Sequence, residues 1–183
     1  MAISRILWIE DGANFELAEL LAPVYYLGQH VLDIAESASE AVDLLSGTSL
    51  HEPYDALIVD IRLSPGGHRL WQGLYKKTVR GAVETQLGLL LLYWLLGKAP
   101  CTETAQHTMA EPLARLRKTY PPPSGFTPAQ LAVFTIERPA QLEHGGHLQC
   151  LSLQHYFQKK LSSPNDILLR IVRQITRPSF RGA

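Results

Sequence analysis

Short apolar runs alternate with stretches of helical period along most of the chain, the pattern of a parallel sheet covered on both faces. Five runs read as strands: "RILWI" (5–9), "HVLDIAES" (30–37), "DALIVD" (55–60), "LAVFTI" (131–136) and "SLQHYFQK" (152–159). Between the first two, "NFELAELLAPVYYLG" (14–28) sets Phe15, Leu17, Leu20 and Leu21 near one face of a helix, with Pro23 placed to kink its second half. Ser37 with Glu40 forms a capping box that opens "ASEAVDLLSG", which Gly47 ends. Ser163, Pro164 and Asp166 cap a final helix, "NDILLRIVRQI".

The alternation loosens between the third and fourth strands. That stretch holds a basic and aromatic loop with Trp71, Tyr75, Lys76, Lys77 and Arg80, then the apolar helix "VETQLGLLLLYWLLG". An amphipathic helix in "TETAQHTMAEPLARLRKTY" and the stiff connector "PPPSG" follow. The run "LGLLLLYWLLG" (87–97) is about half of the roughly 20 residues that cross a bilayer, so it predicts a buried helix. Arg115, Arg117 and Lys118 read as a solvated face of the amphipathic helix.

Composition supports a single domain over 1–183: 183 residues with 46% apolar content build a sizeable core, with or without an insertion. Lys plus Arg and Asp plus Glu both total 17, so no global field favours nucleic acid or an anionic membrane. Cys101 and Cys150 lie far apart, and "MAISRILWIED" lacks the pattern of a signal peptide. A reducing cytoplasm is the simplest location these features predict. There are no internal repeats.

In open parallel sheets, chemistry collects in the crevice beyond the carboxyl ends of the strands. Here the first strand ends on Glu10 and Asp11, the third on Asp60, the fourth on Thr135 and the fifth on Lys159 and Lys160. Three carboxylates meeting in such a crevice repel one another and raise each other's pKa unless a cation sits among them. An all-oxygen cluster suits Mg²⁺. A lysine and a threonine hydroxyl opposite the metal could hold the remaining oxygens of a phosphoryl group on Asp60.

The chain at this point resembles the response-regulator receiver domains, the phosphoacceptor modules of two-component signalling. The likeness runs from Ile3 to about Ile175. It rests on the acid pair in "LWIED", the terminal acid in "ALIVDIRLSPG", the threonine in "AVFTI" and the lysine in "HYFQKKLSSPNDILLRI", in the family's order. It implies a flavodoxin-like, doubly wound, five-stranded parallel sheet of order 2-1-3-4-5 with helices on both faces. It also implies that Asp60 is the phosphoacceptor and that Asp11, Asp60 and the backbone carbonyl of Arg62 bind Mg²⁺ directly. Glu10 would act through metal-bound water. Thr135 and the lysine would hold phosphoryl oxygens, and Tyr156 would be an aromatic switch that turns inward with Thr135 and alters the face of helix four and strand five. The implied partners are a histidine kinase or a histidine phosphotransfer protein, and a downstream protein effector.

The chain departs from the family's pattern in two places. The lysine is Lys159 by the count from Tyr156 and Phe157, or Lys160 by the count from Ser163, Pro164 and Ile167; strand alternation favours Lys159 at the strand end. The family's proline after that lysine, with its cis bond, is replaced by Lys160 or Leu161. The spacing from Asp60 to Thr135 is also long, with insertions at about 65–82 and 98–129 flanking the family's third helix. The first would be a lid or docking surface, or a loosely packed loop. The second could supply a dimer or partner helix, or only cover the apolar helix.

Two functions follow. One is a stand-alone, single-domain response regulator, not an enzyme beyond its own Asp phosphorylation and dephosphorylation, since the last helix ends close to Ala183. The other is a pseudo-receiver that serves as a constitutive interaction module. An aspartate-nucleophile phosphatase would want an acid where Arg62 stands, and "HGGH" (144–147) lacks the further ligands of a metal site.

Overall fold

The strands form where the alternation predicts them: β1 (Ser4–Ile9), β2 (His30–Ala35), β3 (Ala56–Val59), β4 (Leu131–Thr135) and β5 (His155–Gln158). In the computed structural model they make one parallel sheet of order β2-β1-β3-β4-β5, the flavodoxin-like doubly wound arrangement. Among the described residues eight α-helices accompany them: α1 (Leu17–Tyr26), α2 (Ala38–Ser46), α3 (Arg69–Val79), α4 (Leu87–Leu95), α5 (Glu103–Thr119), α6 (Pro139–Glu143), α7 (His147–Leu151) and α8 (Ile167–Ile175). The structure describes residues 3–12, 17–26, 28–46, 53–79, 86–101, 103–143, 146–160 and 163–176. Phe15, Gly47, Arg80, Leu161 and His144 lie outside these residues, as do the side chains of Lys76 and Lys77.

The period of two sorts the core into two layers. Ile6, Trp8, Ala56, Ile58, Ala132 and Phe134 meet Val24 of α1 and the Leu168, Ile171, Val172 and Ile175 stripe of α8. Leu7, Ile9, Leu57, Val59, Leu131 and Val133 face the other way, toward α2, α3, α4, α5 and α7. The core residues of α3, α4 and α5, between β3 and β4, therefore fall on one side of the sheet.

Helix α4 explains why. All nine of its residues are buried, and a helix that is apolar all round needs cover beyond the sheet it lies on. Leu113 and Leu116 of α5 supply that cover. Arg117 binds the Tyr93 carbonyl at 2.9 Å and the Lys98 carbonyl at 2.6 Å, so this arginine holds the C-terminal end of α4 and does not belong to a solvated face. Trp94 Nε1 donates to the Tyr120 carbonyl at 2.7 Å from the other direction.

The stretch expected to be a basic, aromatic loop is instead helix α3. Trp71 is fully buried and Leu74 nearly so, both in the core shared with α4 and α5. The "SPGG" turn before it docks on the free N-terminus of α2. Ala38 and Ser39 donate their N–H groups to the Ser64 and Pro65 carbonyls at 3.0 and 3.3 Å, satisfying orphan donors of the helix. Gly66 has φ +72, and a Cβ there would sit 2.4 Å from Ser37 Oγ, so both backbone and space require glycine.

Two capping expectations change in detail. The Ser37 hydroxyl accepts the Glu40 N–H at 3.2 Å as expected, but the Glu40 carboxylate takes the N–H of Glu36 at 2.8 Å rather than that of Ser37. Asp166 stands at the N-cap of α8 without a side-chain cap bond, its carboxylate engaged by Arg170 at 2.8 Å. The cysteines also differ from the free thiols a reducing compartment predicts. Cys101, ahead of α5, is joined in a disulfide to Cys150 of α7, with their Cα atoms 5.7 Å apart. Among the described residues no helix is long and apolar enough to cross a membrane.

Gly88 fixes the distance between α4 and the strand ends. Its N–H donates to the Ile61 carbonyl at 3.0 Å, and a Cβ on it would lie 1.8 Å from the Asp60 carbonyl oxygen. Gly88→Ala therefore forces the helix off β3; by the usual cost of overpacking the loss is about 2–3 kcal/mol in urea denaturation, whereas Gly73→Ala, with open space around it, is neutral or slightly stabilising. Equal stability of the two variants would contradict this packing.

Candidate functional site

The register brings four strand ends together. Asp60 N–H continues the ladder to the Ile9 carbonyl at 2.9 Å, and Glu10 N–H continues it to that of Ala35 at 2.9 Å, so both acids leave the sheet side by side. Lys159 N–H donates to the Thr135 carbonyl at 2.7 Å, which starts its side chain from the end of β5. The ammonium then spans β4 and reaches both carboxylates: it bonds Asp60 Oδ2 at 2.5 Å and pairs with Glu10 Oε2, while lying over the Phe134 ring at 5.4 Å. Lys159 is thus the lysine that faces the acids. Lys160 is exposed, its N–H taken by Ser163 Oγ at 3.0 Å.

Glu10 and Asp60 are buried and Asp11 is exposed at the rim, and one carboxylate oxygen from each lies within 4.8 Å of the others. Burial pushes the Glu10 carboxyl above its ordinary range; Lys159 pulls it back, and the negative charge of Asp60 adds to the rise. Desolvation also raises Asp11, with Asp60 repulsion second. Three oxygen donors of one sign, two of them with raised pKa values, are a set that a hard divalent cation fits. Gly12 N–H sits 3.3 Å from Glu10 Oε1 and Arg62 N–H 3.2 Å from Asp60 Oδ1, so backbone donors orient both acids.

Thr135 is fully buried, and its hydroxyl accepts the Glu137 N–H at 3.4 Å. Tyr156 donates its phenol to the Glu137 carbonyl at 2.6 Å. Burial first, then the Glu137 and Asp60 charges, hold that phenol at about 12, so it remains a donor. Glu137 was not legible as a site residue. Its carboxylate, almost fully buried, forms an ion pair with the Arg62 guanidinium. The available signal was positional: Arg62 and Glu137 each stand two residues beyond a strand-end residue, Asp60 and Thr135, on neighbouring strands.

A cleft of about 760 Å³ opens beside Glu10 and Lys159, floored by Trp8, Leu20 and Phe134. The described histidine of the "HGGH" stretch plays no part here. His147 packs edge-on against Tyr93 and meets its hydroxyl at 3.0 Å through Nδ1.

A parallel sheet of order 2-1-3-4-5 is the fold of response-regulator receiver domains. Solved structures of that class superpose over nearly the whole chain. A signal receiver domain of a two-component histidine kinase from Clostridium thermocellum shares 14% identity, with 96% of this chain and 98% of that chain covered and a TM-score of 0.53. The phosphorylated cyanobacterial phytochrome response regulator RcpA shares 17%, with 95% and 91% covered and a TM-score of 0.51. A CheY-like receiver domain from Methanospirillum hungatei shares 18%, with 95% and 94% covered and a TM-score of 0.50. At such identities the likeness is one of fold. The sequence matches no protein-family model and no curated protein.

The Lys159 bridge makes a measurable demand. Lys159→Met leaves two buried carboxylates facing each other without a cation, which at neutral pH costs about 3–5 kcal/mol. Because folding raises the pKa of Glu10 above its ordinary 4.5 and that of Asp11 above its ordinary 3.8, the folded protein holds protons that the unfolded chain has released. Stability then falls as pH rises through the window that begins at those values. The deficit of Lys159→Met, followed by urea denaturation, is expected to be largest at neutral pH, to shrink on acidification, and to be partly recovered by Mg²⁺ only at the neutral end. A deficit independent of pH would refute the charge argument.

Proposed function

We propose that the protein is a phosphorylatable receiver of a two-component phosphorelay, with Asp60 accepting a phosphoryl group from a histidine kinase or histidine phosphotransfer protein. The observation that supports this most directly is the convergence of Asp60, Glu10 and Asp11 at adjacent strand ends, with Lys159 reaching into them from β5. An Asp60 carboxylate oxygen attacks the phosphorus, the donor's imidazole departs, and an acyl phosphate forms. Glu10, Asp11, Asp60 and the Arg62 carbonyl would hold Mg²⁺, which when bound neutralises charge on the phosphoryl oxygens during transfer.

Other residues of the chain do the positioning. Lys159 follows the charge from the Asp60 carboxylate onto a phosphoryl oxygen. The Thr135 hydroxyl, one strand away, turns to donate to another, giving up its contact with the Glu137 N–H. That movement reaches the Tyr156 phenol through the Glu137 carbonyl, so the switch runs from Asp60 through Thr135 and Glu137 to Tyr156. The downstream protein effector would bind the face thus altered. The reading needs no catalysis beyond formation and loss of this protein's own acyl phosphate, and a cytoplasmic location goes with it.

A pseudo-receiver is the second reading, and one observation favours it: Lys159 already pairs with both Glu10 and Asp60, so part of their charge is offset without a metal. Fluorescence separates the two. Trp8 borders the cleft beside Glu10. Mg²⁺ with beryllofluoride or acetyl phosphate is expected to change its emission. Asp60→Asn should abolish the change while keeping the fold, and Trp8→Phe should remove the signal without blocking phosphorylation seen by intact mass. A wild-type protein that shows neither a fluorescence response nor a mass gain with acetyl phosphate is a pseudo-receiver.

A further inference from the structure

The disulfide lies where the inserted part of the chain meets the β4–β5 connection. Cys101 follows the short segment that leaves α4, and Cys150 belongs to α7. The same short segment grips α7 a second time. Lys98 Nζ donates to the Cys150 and Leu151 carbonyls at 3.2 and 2.9 Å and to Ser152 Oγ at 2.9 Å, capping the helix's C-terminal end with a cation. Beyond that cap Ser152 turns through φ 57 and the chain enters β5, which carries Tyr156. Tyr93 meets His147 at the other end of α7, and Leu151 is fully buried. These contacts do not involve sulfur, so the helix has a docked position that does not depend on the crosslink.

We propose that Cys101–Cys150 is a reversible thiol–disulfide site, and that its state sets how firmly α7 is held to the segment after α4. Cys101 is exposed, so a thiolate can approach it, whereas Cys150 is half-buried against the core. The reductant is a dithiol. Its first thiolate attacks Cys101 Sγ and breaks the bond to Cys150, which leaves as a thiolate and takes up a proton. The second thiol then attacks the mixed disulfide, releasing Cys101 as a thiol and the reductant as its own disulfide, two electrons having passed to the protein. With the crosslink open, α7 is held by Lys98, Tyr93 and the Leu151 side chain. With it closed, the covalent bond removes the local opening in which those contacts part. In a reducing compartment such a bond is transient, which makes its state informative.

The site is tested on the intact protein, with readouts that do not involve phosphorylation, so failure here and failure of the phosphoacceptor reading are separate events. Differential alkylation and intact mass are measured after equilibration in buffers of reduced and oxidised glutathione, together with hydrogen exchange of the α7 amides. Expected are interconversion of a two-thiol and a disulfide form, and roughly tenfold faster exchange at Cys150, Leu151 and Ser152 in the reduced form. Cys101→Ser, at an exposed position, should exchange like the reduced form in every buffer; Cys150→Ser should do the same if it folds. The proposal is overturned by two freely alkylated thiols in oxidised glutathione, by a bond that excess dithiol cannot open in the folded protein, or by α7 exchange that is identical in the two forms.

Discussion

The ammonium of Lys159 between Glu10 and Asp60 is the interaction on which the carboxyl edge of this sheet depends. Two buried carboxylates on adjacent parallel strands repel in a medium that screens poorly, and burial alone already lifts Glu10. The sheet order decides what can answer them. With β3 and β1 neighbouring and β4 and β5 beyond, a long side chain starting at the end of β5 reaches across to both acids. A lysine suits the task because its charge is compact and its stem flexible, and its ammonium lies over the Phe134 ring. Any cation or phosphoryl group that enters the cluster has to share or replace this partner, so the strength of binding there is a difference between two compensations and not a simple attraction.

A second constraint comes from α4. A helix with no polar face has to be enclosed, and the enclosing helix α5 is long, amphipathic and carries the arginine that closes the C-terminal carbonyls of α4. The insertions are thus tied to the core, with Trp71 and Leu116 as fully buried as any strand residue. Close approach at the N-terminal end is allowed by Gly88, whose missing side chain lets the helix rest on the Asp60 backbone. The acid that is proposed to carry the chemistry is therefore backed by a fully buried helix.

The strands and the acid cluster were legible because each leaves a strong local signal: β3 is a continuous apolar run stopped by one acid, and α8 has the full i, i+3, i+4, i+7 stripe. Helix α3 was misread because its charged and aromatic composition outweighed a spacing that was present, with Leu70 and Leu74, and Trp71 and Tyr75, each one turn apart. Helices α6 and α7 have five residues each, too short for periodicity to speak. The Cys101–Cys150 pairing spans 49 residues and depends on the fold being made first. Asp166 shows the opposite failure, a good capping residue whose carboxylate is claimed by Arg170 one turn on. The choice between Lys159 and Lys160 needed the register of β5 against β4, since two adjacent lysines at a strand end point to opposite sides.

The β4–β5 connection joins these constraints. It leaves β4 at Thr135 and enters β5 at His155, the strand that ends beside Lys159, while α7 within it is docked on the far end of the helix whose first turn touches Asp60. Packed helices transmit displacement only if some element has two discrete arrangements. Under the proposed phosphorylation, the element that would do so is the polar set around Glu137: its N–H on Thr135, its carbonyl on the Tyr156 phenol and its buried carboxylate on Arg62. None of these bonds can be left unmade without cost, because Glu137 is almost wholly buried. A phosphoryl group on Asp60 offers Thr135 and Arg62 alternative acceptors at once, so the set would be expected to rearrange as a unit. The rearrangement then falls on Tyr156 and the chain that leads back to α7, not on the sheet, whose backbone bonds it leaves intact.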